Sequence, residues 1–191
     1  MSVLIENMPV AKKPRSISLQ TFLQRYSNIE DGYKYEYNQG IIEKTKTMDQ
    51  IQTTLYAILL RAYITTKSFQ EGGTMTSETN MSTTDVQLRK PDIAIYSADQ
   101  LKRMKNGQNQ IAEWVAEVIS DTDNINRVNK KLEEYFNAGV KVVWHIFPNI
   151  ETVYVYTAID IVTICKGEKI CSGAPAVADF EISATNLFAK N

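Results

Sequence analysis

The 191 residues are 43% apolar and 23% charged, ordinary proportions for a soluble globular protein long enough to bury a real core. The formal net charge of −1 leaves no chain-wide basic footprint for nucleic acid, and no apolar run approaches the roughly 20 residues of a membrane helix. Met1 to Pro14 does not read as a signal peptide, because its apolar part is short and interrupted by Glu6, Asn7 and Pro9. A cytoplasmic location is therefore expected. Cys165 and Cys171 are too few and too far apart for a zinc site or a redox pair, and read as reduced, half-buried thiols.

In chain order, residues 1–15 read as a frayed arm containing Lys12, Lys13 and Arg15, and residues 16–191 as a single domain. Ser18 caps a short helix with Leu19, Phe22 and Leu23. Tyr33 to Tyr37 alternates aromatic and charged residues, which predicts a strand. Asn38-Gln39-Gly40 supplies the turn, and Ile41 to Lys46 returns as a hairpin arm. Ile51, Leu55, Ile58, Leu59 and Ala62 recur at helical spacing behind a cap from Thr47 or Asp49. Gly72-Gly73 breaks the chain, and Thr74 to Gln87 reads as extended and half-exposed.

Ile93 to Tyr96, Trp114 to Ile119 and Val140 to Phe147 are short and nearly all apolar, as strands in the middle of a covered sheet are. Leu101 to Gln110 lies between the first two, with Lys102, Arg103 and Lys105 and no acid. It reads either as a solvated loop or as a phosphate-contacting rim. Between the second and third, Asn124 to Ala138 carries the stripe Ile125, Val128, Leu132, Tyr135 and Phe136, closed by Gly139. This strand–helix–strand unit predicts a parallel pair with a right-handed crossover. Thr152 to Thr157 alternates again, Ile161 to Ile170 is expected to form a hairpin around Gly167, and Ile182 to Phe188 closes with a short helix. The fold class is α/β or α+β, a central mixed β-sheet flanked by helices, with an N-terminal helix and β-hairpin.

Glu117 sits inside Trp-Val-Ala-Glu-Val-Ile, in the middle of an apolar strand. An ionised carboxylate buried without a partner costs several kcal/mol, so a hydrogen-bond network, a protein cation or a metal must compensate it. A structural ion pair satisfies that need too. Asp92 follows Pro91 at the start of another apolar strand. If the two strands are neighbours, both carboxylates converge at one sheet edge. Hard oxygen donors suit Mg²⁺ or Mn²⁺, and the carbonyl of Val118 offers a third oxygen. Lys131 lies roughly a quarter-turn off the buried stripe of its helix, at about 100° per residue, whereas Lys130 falls nearly opposite. Lys131 can lean along the core boundary, or simply snorkel over apolar neighbours. Two acids, a divalent cation and a lysine together suit phosphodiester hydrolysis. His145, the only histidine, lies in an apolar strand and reads as a core residue.

Pro91-Asp92, Glu117 and the following lysine resemble the PD-(D/E)XK nuclease superfamily. The ordered set is more specific: Glu117-Val118-Ile119-Ser120, Lys131 to Tyr135, Ala138-Gly139-Val140 and Val143-Trp144. With Tyr35-Glu36, Gly40 and the segment Ala178 to Phe188, it resembles the Uma family of restriction-endonuclease-like proteins from about Leu19 to Phe188. The resemblance implies a restriction-endonuclease-like core and an endonuclease acting on nucleic acid, DNA above all, through a water activated by Mg²⁺, with Mn²⁺ as a substitute. It implies Asp92 and Glu117, with Val118, as metal ligands, Lys131 as the catalytic lysine and Glu36 as an accessory acid. It allows a homodimer and no membrane partner. Relatives often carry a histidine where this chain has Met48, so a catalytically inactive module binding nucleic acid or protein on the same fold is the alternative.

Overall fold

A computed structural model describes residues 16–189, so the expected arm over 1–15 lies outside them. Helix α1 (Leu19–Tyr26) starts where the Ser18 side chain accepts from the Thr21 amide. Strands β1 (Tyr33–Asn38) and β2 (Ile41–Lys46) form the expected hairpin. Its turn residues Gln39 and Gly40 have φ of 49° and 89°, the left-handed pair that tight hairpins need. At Gly40 any side chain would also strike the Ser16 hydroxyl, because a Cβ there would lie 2.1 Å from it. Helix α2 (Gln50–Tyr63) begins with a capping box between Asp49 and Gln52. A single-turn helix, α3 (Lys67–Gln70), leads to β3 (Thr74–Ser77), β4 (Met81–Thr84), β5 (Gln87–Arg89) and β6 (Ile93–Tyr96). Then come α4 (Ala98–Lys105), β7 (Trp114–Val118), α5 (Ile125–Ala138), β8 (Val142–Phe147), β9 (Thr152–Ala158), β10 (Ile161–Lys166), β11 (Ile170–Ser172), β12 (Glu181–Ser183) and α6 (Ala184–Leu187).

The three apolar strands are central, as expected: the main sheet runs β10-β9-β8-β7-β6-β3, with β7 and β8 parallel and the other pairs antiparallel. Helix α5 is the crossover between the parallel pair, and Gly139 ends it with φ 106°. One face of the sheet packs Trp114, Ala116, Val118, Val142, Trp144 and Ile146 against α2, α6 and Phe180. The other packs Ala94, Tyr96, Val115 and Val143 against Leu132 and Tyr135 of α5. A smaller sheet, β2-β1-β5-β4, turns Tyr35 and Tyr37 toward Phe22 of α1. Large side chains buried this way contribute about 1.5–3 kcal/mol each.

Three expectations need correction. Ile161 to Ile170 is not a hairpin: β10 pairs back on β9 across the tight Ile159-Asp160 turn, and β11 pairs with β12. Leu101 to Gln110 is half helix, because Ser97 and Gln100 form a capping box that starts α4. Cys165 and Cys171 are free but fully buried, not half-buried, because both point into the main core. Thr74 to Gln87 is extended and half-exposed as expected, and it supplies β3 to the main sheet and β4 and the start of β5 to the smaller one, with Met75, Met81, Thr83 and Gln87 buried.

Candidate active site

Period-two alternation decides which side chains meet. On β7, Trp114, Ala116 and Val118 enter the main core, so Glu117 points to the α5 face. On β6, Ile93 and Ile95 enter that core, so Asp92, one residue before the strand, points the same way as Ala94. The strands are antiparallel neighbours with Ile93 opposite Ala116, which brings Asp92 beside Glu117 and Val118. The Val118 amide donates to Asp92 Oδ2 at 2.8 Å. Lys131 reaches down from α5, its Nζ 2.8 Å from Glu117 Oε1, while Lys130 stays 59% exposed at its side chain. Tyr135, one turn on, donates its hydroxyl to the same Glu117 oxygen at 2.5 Å. Asp92, Glu117 and Lys131 are thus brought together.

Glu36 is wholly buried. It shares Lys131 with Glu117, accepting from the ammonium at 3.2 Å, and takes the Lys90 amide at 2.8 Å. Burial alone would raise its carboxyl, but Lys131, Lys34 and Arg89 outweigh that and hold it down at about 2. For Glu117 the balance goes the other way. Burial raises its carboxyl, Asp92 and Glu36 add to the rise, and Lys131 and Lys34 do not cancel it. Burial would lower the Lys131 ammonium, yet Glu117 and Glu36 hold it above its ordinary value, so it stays charged at neutral pH.

Three contributors escaped the sequence reading. Lys34 is buried with its Nζ 2.5 Å from Asp92 Oδ1, a second lysine at the acids. Arg89 is buried among Glu36, Glu43 and Glu134, at 3.3, 2.7 and 2.5 Å. Arg127, half-exposed, bridges Glu36 at 3.6 Å and Glu43 at 3.3 Å. The available signal was the Lys34-x-Glu36-x-Asn38 alternation. With Tyr35 and Tyr37 buried on one face of β1, the polar face had to be solvated or packed on charges, and it is packed on α5.

Lys34, Asp92, Glu117 and Lys131 floor a cleft of about 440 Å³ rimmed by Lys44, Lys46, Thr47, Ser120, Asn124 and Arg127. His145 stands opposite Glu117 in the β7–β8 register and lines the cleft although it is only 2% exposed. Burial and the nearby Lys131 push its imidazole down to about 4, so it is neutral at pH 7. The basic residues Lys102, Arg103 and Lys105 are not part of the lining. Helix α4 follows the far end of β6, away from Asp92, so its basic run does not form this rim.

The sequence pattern of one family spans this whole arrangement: that described as "Uma2: Putative restriction endonuclease" matches residues 19–185. The chain belongs to the Uma2 family. Among solved structures, a protein described as a putative nuclease of DUF820 from Anabaena variabilis is similar in fold, with a TM-score of 0.76 at 18% identity. The alignment covers 91% of this chain and 98% of that one. No match was found among curated proteins. As an Uma2 protein the chain falls in the restriction-endonuclease-like, nuclease class of hydrolases. Among its described residues no helix is long and apolar enough to cross a membrane.

Divalent cations are usual in the wider class, so the fit of this Uma2 chain to one was tested on its donors. Among the described residues no three His, Cys, Asp or Glu side chains are grouped to hold a metal ion. Two carboxylates, Asp92 and Glu117, do share one cleft with Val118. Mg²⁺ commonly binds through one or two carboxylates, its own waters and substrate phosphates, so this oxygen set fits.

Proposed function

We propose that this chain is a Mg²⁺-dependent endonuclease that hydrolyses phosphodiester bonds in DNA, with Mn²⁺ as a substitute. The observation that carries the reading is the meeting of Asp92, Glu117 and Lys131 on the floor of one open cleft. Asp92, Glu117 and the Val118 carbonyl would hold the cation. Bound there, it polarises a phosphate oxygen and lowers the pKa of its water. The Lys131 ammonium, kept charged by Glu117 and Glu36, offsets charge that builds on the phosphate. Glu36 anchors Lys131 from the other side and so acts through it. Lys44, Lys46 and Arg127 on the rim attract the phosphate backbone. The reading includes a cytoplasmic location and one catalytic domain over residues 16–191.

The test is a cleavage screen over DNA and RNA forms with Mg²⁺, Mn²⁺ or EDTA, with Glu117→Ala alongside. DNA cleavage that needs the cation and vanishes in Glu117→Ala is expected. Cleavage that persists in EDTA or in the variant would overturn it. One observation favours a second reading, a nucleic-acid-binding module without catalysis. Lys34 already places a cation 2.5 Å from Asp92. Salt-sensitive DNA binding with no cleavage under any metal is its signature.

A further inference from the structure

Strand β10 is the free edge of the main sheet: among the described residues its only ladder is with β9. Edge strands are usually blunted by a central charge, a proline or a bulge, since their open backbone recruits other strands. β10 has none of these. Its stretch Ile161 to Cys165 holds no charge, and the one irregularity in its pairing skips Thr157 of β9, leaving β10 itself regular. Three of its apolar side chains stand in solvent, Ile161 at 57%, Val162 at 43% and Ile164 at 48%, and Ile159 and Ile170 beside it are also exposed. Val162 and Ile164 continue the half-buried row of Tyr156 and Tyr154, their partners on β9.

The charges flanking this strand are complementary under a two-fold axis. Asp160 precedes it and Lys166 ends it, both exposed. In an antiparallel pair, opposed residues point to the same face, so only registers that shift by two residues are allowed. Centring the pair on Thr163 sets Val162 against the partner's Ile164, and Asp160 against the partner's Lys166, twice over by symmetry. A shift one way sets Asp160 against the partner's Ile164. A shift the other way sets Lys166 against the partner's Val162. Both leave a charge facing an apolar side chain.

We propose that β10 is the docking surface for a second copy of this chain, the two strands pairing antiparallel about Thr163 so that the main sheets join into one. This rests on the edge and its charges, not on the cleft or its chemistry.

Sedimentation of the full chain across micromolar concentrations tests it. The wild type is expected to run as a dimer. Val162→Lys with Ile164→Lys should raise the dimer dissociation constant at least about a hundredfold, because like charges then face each other across the joint. Its thermal midpoint in the monomer should be unchanged, since both side chains are exposed. Asp160→Lys should weaken the dimer, and Asp160→Lys with Lys166→Asp should restore it. Thr163→Cys lies opposite itself, at the Cα spacing of about 4.5–5.5 Å that suits a disulfide, and should cross-link under mild oxidation. The native thiols, fully buried, do not compete. A wild type that stays monomeric throughout would end the proposal. So would a dimer indifferent to the lysine pair, a charge swap without recovery, or a dimer in which Thr163→Cys fails to cross-link.

Discussion

Glu36 and Glu117 are chemically identical, both buried, and both held by the same lysine, yet their carboxyls shift in opposite directions. Glu36 belongs to the cluster where β1, β2 and β5 meet α5. There Arg89 and Arg127 bind Glu36 and Glu43, and Arg89 also binds Glu134. Fixed cations surround the acid and leave little for another ion to do. Glu117 lies on the cleft floor beside a second acid, with two lysines shared among several carboxylates. Burial is common to both, so what separates them is the company each keeps: bound cations around Glu36, and a second acid and open cleft beside Glu117.

The largest effect expected from this contrast is on Glu117. Glu117→Gln should reduce metal-dependent cleavage at least about a hundredfold, the scale of several kcal/mol of lost charge stabilisation. Its thermal midpoint should hold or rise, since a crowded buried charge is removed. A variant that unfolds instead would place Glu117 with the scaffold. Next, Lys131→Met should cost about a hundredfold in rate, while Lys130→Met, on the solvated face, should stay near wild type. Equal losses would mean that the buried face of α5 contributes nothing particular to the reaction.

On the scaffold side, Arg89→Met takes a shared buried cation from three carboxylates and should destabilise the fold by about 3–5 kcal/mol, read from urea unfolding. A loss under about 1 kcal/mol would break the contrast between the clusters.

Acid titration without metal sharpens it further. Glu36 is held near 2 in the fold against an ordinary 4.5. Its contribution is therefore complete above about pH 4.5 and is lost as pH falls toward 2. Glu117 has the opposite sign, because its raised carboxyl takes up a proton in the fold before it does so in the unfolded chain. Glu36→Gln should flatten the acid limb of the stability curve, and Glu117→Gln should leave it intact or steepen it.

The smallest effect compares two basic surfaces. Charge reversal at Lys44 and Lys46 should cut the salt slope of DNA binding by about 2, whereas reversal at Lys102 and Lys105 on α4 should leave it alone.

Much of this was determined by the sequence alone, because periodicity, caps and turns are local. The Tyr33–Tyr37 alternation, the Asp49–Gln52 cap, Gly139 and the apolar strand around Glu117 fixed where the elements run. A quarter-turn on α5 separated Lys131 from Lys130. Tertiary structure decided what those elements bring to one another. Lys34 meets Asp92 from 58 residues away, and Arg89 meets Glu36 across 53. Whether Ile161 to Lys166 joined the strand before it or the one after depended on the whole sheet. Alternation tells which face of a strand is polar. Only packing the small sheet against α5 tells which opposite charge that face will find, and so which acid is enclosed by bound cations and which stands at the open cleft.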